Sequence, residues 1–256
     1  MKYLIEINLN NEELKKEVKD KYSKVASGES CCCTTQNVST SLGYSEEDLN
    51  NVPKDADLGL GCGNPISASN MQPGETVLDL GSGAGFDCFL ASKKVGRRGK
   101  VIGVDMTHEM LEKSRENAKK GRYRNVDFRL GEIENLPVAN DTVDVVISNC
   151  VINLSPRKQR VYDEIHRVLK LGGRICISDV ILMRDLTQEM LDNTELYCNW
   201  VTGASSVEEI EDYLKKSGFK NIHVDLKELS QEYQEKWSTG LNVGEYIMSG
   251  MIHAEK

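Results

Sequence analysis

From Val77 to Ile181 the chain alternates short apolar runs with helical ones: VLDLG, FDCFLASKKV, VIGVD, HEMLEKSRENAKK, VDFRLG, VDVVISNCVINL, PRKQRVYDEIHRVLK, RICISDVI. Apolar runs without polar alternation belong to strands covered on both faces, and helical links between strands make the sheet parallel. The pattern predicts a doubly wound α/β domain. A length of 256 residues accommodates one such domain and a small accessory. We expect the domain over 71–256, ending in two more strands in NIHVDL and EYIMSGMIHAEK, and a cap over 1–70. In the cap, Leu14, Val18 and Tyr22 share one helical face, Ser45 with Asp48 forms a capping box, and Gly59, Gly61, Gly63 and Pro65 make a loop around Cys62. Further along, Ser155-Pro156 opens a helix that Gly172-Gly173 closes, residues 187–202 read as helical, and Ser206 with Glu209 caps a last helix.

The charge balance of 32 basic against 40 acidic residues, net −8, lacks the positive field that nucleic acid or an anionic membrane would need. No apolar run reaches the roughly 18 residues of a membrane span, and the opening MKYLIEINLNNEELKKEVKD carries charge throughout, so a cytoplasmic protein is expected. In a reducing compartment structural disulfides are rare, which makes eight cysteines a question about packing, metal binding or redox chemistry.

In VLDLGSGAGFD, Gly81, Gly83 and Gly85 stand after a strand and at the mouth of a helix, where glycine permits positive φ and bare backbone meets a ligand. A tight strand-to-helix turn is the plain alternative. Asp105 ends the next strand about 20 residues on, where a carboxylate accepts from ribose hydroxyls. Asp79 inside the first strand needs a partner, which a ligand amino group would supply. The spacing is not that of dinucleotide folds. The segments VLDLGSGAGFD, VIGVDMT, FRLGEIENLP and VDVVISN resemble class I S-adenosylmethionine-dependent methyltransferases over about Gln72 to Ile181. The resemblance implies a Rossmann-like seven-stranded sheet with an N-terminal helical and loop cap and a small C-terminal extension. It also implies that Gly81, Ser82, Gly83 and Gly85 cradle the methionine part, Asp105 the ribose, and Met106, Glu132 and Ile133 the adenine, with Asn149 at the methyl end.

Ligands of open α/β sheets bind at the carboxyl ends of the strands, near the point where strand order reverses. With that point between the first and fourth strands, Asn149 and Cys150 face the transferable methyl. Cys62 in GLGCGNP and Cys198 in LYCNWVTGA come from segments able to cover the same strand end, and three converging thiolates make a soft trigonal site. Zinc is disfavoured because the paired C-x₂₋₄-C spacing is absent. The motifs GCGNP, SNCVINLSP and YCNWVTGASS resemble arsenic(III) methyltransferases over about Cys31 to Phe219. By that resemblance Cys150 and Cys198 bind trivalent arsenic, Cys62 is a third thiol used in binding and disulfide exchange, and residues 183–205 carry an arsenic-binding insertion. One of Cys31, Cys32 and Cys33 is the exchange partner, Cys33 being the member we place at the site. The family's Tyr-Gly pair is replaced here by Tyr22-Ser23. The implied partners are arsenite or methylated arsenicals as thiol conjugates and a glutathione- or thioredoxin-type reductant, with the chain a monomer.

Arsenic held by sulfur keeps a lone pair and loses no proton on attack, so no general base is required. His108, His166 and His253 accordingly read as surface or structural residues, and Cys88 and Cys176 as small core residues. Two alternatives stay open: a methyltransferase of a small organic nucleophile, and a non-enzymatic thiol metalloid or zinc sensor. Three thiols without a base dyad favour arsenic.

Overall fold

The computed structural model describes residues 10–29, 38–228 and 241–256. In chain order its helices and strands are α1 (Asn11–Ser27), α2 (Val38–Ser41), α3 (Glu46–Asn50), α4 (Pro65–Ala68), β1 (Thr76–Leu80), α5 (Phe86–Val95), β2 (Lys100–Asp105), α6 (His108–Lys120), β3 (Val126–Leu130) and β4 (Val143–Asn149). There follow α7 (Lys158–Val168), β5 (Leu169–Leu182), α8 (Gln188–Leu191), α9 (Thr194–Cys198), α10 (Val207–Ser217), β6 (Lys220–Lys227) and β7 (Ile247–Glu255).

The strands form one seven-stranded sheet in the order β3-β2-β1-β4-β5-β7-β6. β1 to β5 pair in parallel and β7 runs antiparallel between β5 and β6. The order reverses between β1 and β4, so the crevice opens at their carboxyl ends. The last two strands complete the expected seven-stranded sheet. The apolar runs are what cover both faces: Val77, Leu78, Leu80, Val145, Val146 and Ile147 are all fully buried. On one face they meet Val161, Ile165 and Leu214 of α7 and α10. On the other they meet Phe89, Leu90 and Leu111 of α5 and α6, together with Tyr44, Val52, Ile66 and Met71 from the cap.

α1 starts at a capping box in which Asn10 Oδ1 accepts the Glu12 and Glu13 N–H groups and Glu13 accepts the Asn10 N–H, and it ends at Gly28 with φ 78°. Its Leu14 and Val18 pack on Tyr197 and Cys198, which lays the helix across the crevice. The Ser45–Asp48 and Ser206–Glu209 capping boxes form as expected.

Three local expectations change. Gly172-Gly173 does not close α7, which stops at Val168; Leu169 already pairs with Val143, and the glycines sit in an irregularity inside β5 where Gly172 donates to, and Gly173 accepts from, the Lys256 backbone. Ser155 lies ahead of α7, its Oγ accepting the Arg157 N–H and donating to Glu134. Residues 187–202 divide into α8 and α9 because Thr187 and Asn193 each cap a separate turn. No helix among the described residues is long and apolar enough to cross a membrane.

Candidate active site

A cavity lies over the carboxyl ends of β1, β2 and β4, roofed by α1 and the cap. Of the residues expected at the site, Asp79, Gly81, Ser82, Gly83, Asp105, Met106, Ile133, Asn149 and Cys150 line this one cavity. The loop after β1 turns through positive φ at Gly81, Gly83 and Gly85. A Cβ at Gly81 would collide with Val151, whereas one at Gly83 would meet nothing closer than Met110 Sδ at 4.0 Å, so Gly83 leaves bare backbone beside the cavity.

Two residues assigned to the cofactor are elsewhere. Gly85 faces away, its Cβ position lying 2.8 Å from the rings of Phe89 and Phe128, so glycine there serves helix packing. Glu132 points outward with half its side chain exposed and pairs with Lys15 at 2.7 Å. Two positions on, Glu134 takes its place in the cavity wall, held by Ser155 at 2.7 Å and Lys15 at 3.2 Å. Sequence reasoning also missed Tyr44, Asp87 and Trp200 in the wall. The signal for Val18 and Tyr22 was present, since their shared helical face both packs on Tyr197 and Cys198 and lines the cavity.

Three buried carboxylates, Asp79, Asp87 and Asp105, line the cavity. Burial pushes Asp79 well up, Asp105 up, and Asp87 from the ordinary 3.8 to about 6. Hydrogen bonds work against that cost. Asp105 accepts from Gly83 N–H at 2.9 Å and Thr107 N–H at 2.8 Å. Asp87 accepts from the Tyr44 hydroxyl at 2.7 Å and Asn149 Nδ2 at 3.3 Å. The thiol of Cys88 donates to Asp79 at 3.2 Å, so this cysteine is a carboxylate partner and not a packing residue alone. Cys176 is fully buried, and burial pushes its thiol up to about 12, in keeping with an inert core residue.

The sulfur centre is next to this group. Cys150 follows β4 with φ 56°, a conformation that non-glycine residues rarely adopt, its N–H donating to Ser178 O at 2.8 Å. It is joined to Cys62 in a disulfide with a Cα–Cα separation of 6.0 Å. The Asp179 carboxylate completes a buried group with these two sulfurs, ligand atoms lying within 4.8 Å of one another. Cys198 does not join them. It ends α9 and packs with Leu14, Val18 and Tyr197, alongside Met106 and Leu154, on the neighbouring wall. The expected trio of thiolates is therefore not assembled: two of its members are bonded to each other and have no thiolate to offer. Trp200, also at positive φ, connects the two walls by packing with Cys62 and Cys150. Cys31, Cys32 and Cys33 lie outside the described residues.

His108 pairs with Glu112 on the surface and His166 packs edge-on against Phe219. His253 pairs across β5 and β6, and no histidine lines the cavity among the described residues.

Residues 71–237 match a family model described as a methyltransferase domain. An arsenite methyltransferase from Halobacterium salinarum is 46% identical over 262 residues, an alignment covering 96% of this chain and 67% of that protein. The chain belongs to the arsenite methyltransferase family. The human arsenite methyltransferase is 35% identical over 82% of this chain and 59% of its own length. The chain thus spans about two thirds of the Halobacterium relative and less of the human one. The crystal structure of CrArsM, an arsenic(III) S-adenosylmethionine methyltransferase from Chlamydomonas reinhardtii, superposes with a TM-score of 0.63 at 32% identity, covering 87% of this chain and 74% of that one. A Haemonchus contortus phosphoethanolamine N-methyltransferase with bound S-adenosylmethionine shares the fold at a TM-score of 0.65 and 20% identity, over 87% of this chain and 58% of its own.

The cavity fits the family's cofactor, which is cationic at its sulfonium and its ammonium. Ser82 Oγ is buried with no hydrogen-bond partner among the described residues, and three desolvated carboxylates, none of them ion-paired with a basic side chain among the described residues, call for positive charge. A pH dependence follows. Between about 4 and about 6 the folded protein holds a proton on Asp87 that the unfolded chain has lost, so stability falls as pH rises through that window. Cofactor affinity has the opposite sign, rising with pH through about 6 as Asp87 ionises. Asp87→Asn is expected to flatten both profiles and weaken binding about tenfold at pH 8, the size of one charge-assisted hydrogen bond. Urea titrations and calorimetry at pH 5 and 8 check this.

Proposed function

We propose that this chain transfers the methyl group of S-adenosylmethionine to trivalent arsenic bound through cysteine sulfur. The observation that carries the proposal is the Cys62–Cys150 pair: a buried, exchangeable sulfur couple whose Cys150 opens on the cofactor cavity at the end of β4. The cofactor, when bound, supplies an electrophilic methyl on a sulfonium. Gly83, Asp105 and Glu134 hold its nucleoside end and Asp79 with Asp87 its charged amino acid end, while α1 and Trp200 exclude water.

The disulfide has to open before arsenic binds. Two small thiols reduce it, their sulfurs becoming a disulfide while Cys62 and Cys150 gain the two protons. Each cysteine thiol then displaces hydroxide from arsenite as water, leaving an As–S bond. Cys150 and Cys198 bind the metalloid in this proposal, with Cys62 as the third sulfur, and the segment 183–205 brings Cys198 to its partners. The arsenic lone pair would form the As–C bond as the methyl–sulfonium bond breaks, the bonding pair staying on the departing thioether sulfur and arsenic passing from the trivalent to the pentavalent state; no proton leaves, so no general base is called for. The chain's own contribution is positioning, a source of about 7–11 kcal/mol when geometry is near attack.

In this proposal the enzyme is cytoplasmic, where a disulfide in reach of a substrate cavity is a working bond and not a structural one, and it is served by glutathione or a thioredoxin-type reductant. One of Cys31, Cys32 and Cys33 takes part in that exchange, and the chain acts as a monomer in arsenic detoxification. The test is incubation with methyl-labelled cofactor, a small thiol and arsenite. Labelled methylarsenicals are expected; label no higher than in a control without arsenite overturns the proposal.

A further inference from the structure

We infer that Asn149 is the positioning residue of the Cys62–Cys150 couple, clamping the Cys62 loop so that the two sulfurs face each other. Its side-chain amide reaches the loop on both sides of Cys62. Oδ1 accepts the Cys62 N–H at 3.0 Å and Nδ2 donates to Gly63 O at 2.9 Å. One amide thus pairs with the loop backbone as a neighbouring strand would, and it belongs to the residue immediately before Cys150. The amide places an acceptor and a donor on two separate atoms, one for each side of Cys62; ionised aspartate has no donor, and the single oxygen of serine is too short to span both backbone groups.

The loop is shaped to accept this clamp. Gly61 runs at φ 142°, and a Cβ there would lie 2.9 Å from the Asn149 amide. On the far side, Ser249 Oγ donates to Cys62 O at 2.7 Å, and Ser178 Oγ lies 3.4 Å from Cys62 Sγ. The Cys62 N–H, the Cys62 carbonyl and the Gly63 carbonyl are thus held from β4 or β7, elements of the sheet itself.

The consequence is redox equilibrium. The couple is reduced when Cys62–S–S–Cys150 takes two electrons and two protons from two glutathione thiols, breaking the protein S–S bond and forming that of glutathione disulfide. In the oxidised state the S–S bond itself restrains the loop. In the reduced state the restraint falls to the Asn149 clamp and the Ser249 hydrogen bond, and without the clamp the loop gains conformational freedom that must be given up again when the bond re-forms. Removing the clamp thus favours the dithiol.

Asn149→Ala is expected to shift the glutathione equilibrium about tenfold toward the dithiol, about 30 mV for a two-electron couple, read by differential alkylation and peptide mass spectrometry of Cys62 and Cys150 in the full chain. Ser249→Ala, which frees the same loop from the opposite side, is expected to shift it the same way by about threefold, the loss of one weak hydrogen bond, and it decides the matter alone if Asn149→Ala does not fold by circular dichroism. A cofactor-site change remote from the loop, Asp105→Ala, is expected to leave the equilibrium in place. The inference is overturned if the first two variants stay within twofold of the unsubstituted protein, or if Asp105→Ala moves the equilibrium as far as they do.

Discussion

Cys150→Ser is expected to bring methyl transfer to arsenite down to background, a loss of at least about a thousandfold, while S-adenosylmethionine still binds within about threefold. Cys150 is the one cysteine in the cavity wall among the described residues. Serine matches its size and can adopt the same backbone where the fold imposes it, but its oxygen does not hold a thiophilic metalloid. Without the sulfur, arsenic loses its place next to the methyl and with it most of the positioning contribution. The cofactor contacts proposed at Gly83 and Asp105 are on β1 and β2 and keep their own hydrogen bonds. Product analysis for methylarsenicals, with cofactor binding followed by calorimetry, separates the two effects. Turnover above about a tenth of the original would remove Cys150 from the site. Cys198→Ser is expected to act in the same direction, and full activity in that variant would confine the arsenic site to Cys62, Cys150 and the adjacent Asp179. Cys62→Ser is expected to lose activity on inorganic arsenite while keeping some on a methylated, thiol-bound species.

The sheet was legible because its signal is local. Runs such as VLDLG and VDVVIS have no polar face to leave in water, and in the fold both faces are covered. The glycine turn and Asp105 were legible for the same reason, each being fixed by the strand it ends. What escaped depends on contacts between distant segments. Glu134, not Glu132, enters the cavity because the turn after β3 closes through a bridge between Glu132 and Asn135, a register that the apolar pattern does not encode. Asp87 and Tyr44 meet across 43 residues, and neither is marked by its own neighbourhood as a cavity residue. Cys88 reads as one more small side chain in an apolar helix until β1 brings Asp79 against it.

The cysteines show both halves of this. Their placement in loop, strand end and helix pointed to one centre, and the fold does bring Cys62 to Cys150 across a separation of 88 residues. Redox state and the packing of one segment on another are not written in spacing, so neither the Cys62–Cys150 disulfide nor the seating of Cys198 against α1 could be anticipated.

Asp105→Ala is the second large effect: cofactor affinity is expected to fall about a hundredfold or more and the unliganded protein to lose about 2–4 kcal/mol. Both follow from the same two hydrogen bonds. One carboxylate oxygen takes the Gly83 N–H and the other the Thr107 N–H, tying the glycine loop after β1 to the segment after β2. Alanine strands both donors in a buried site, at about 1–3 kcal/mol each, and releases the loop that has to present bare backbone to the ligand. The acceptor proposed for the ribose hydroxyls disappears as well. Asp105→Asn keeps one acceptor but turns an N–H₂ group toward a backbone N–H, so it is expected to fall in between, at about tenfold in affinity. Calorimetric titration with S-adenosylmethionine gives the affinity and urea denaturation the stability. Affinity within threefold of the original in a folded Asp105→Ala protein would show that the strand end of β2 is not where the nucleoside is held.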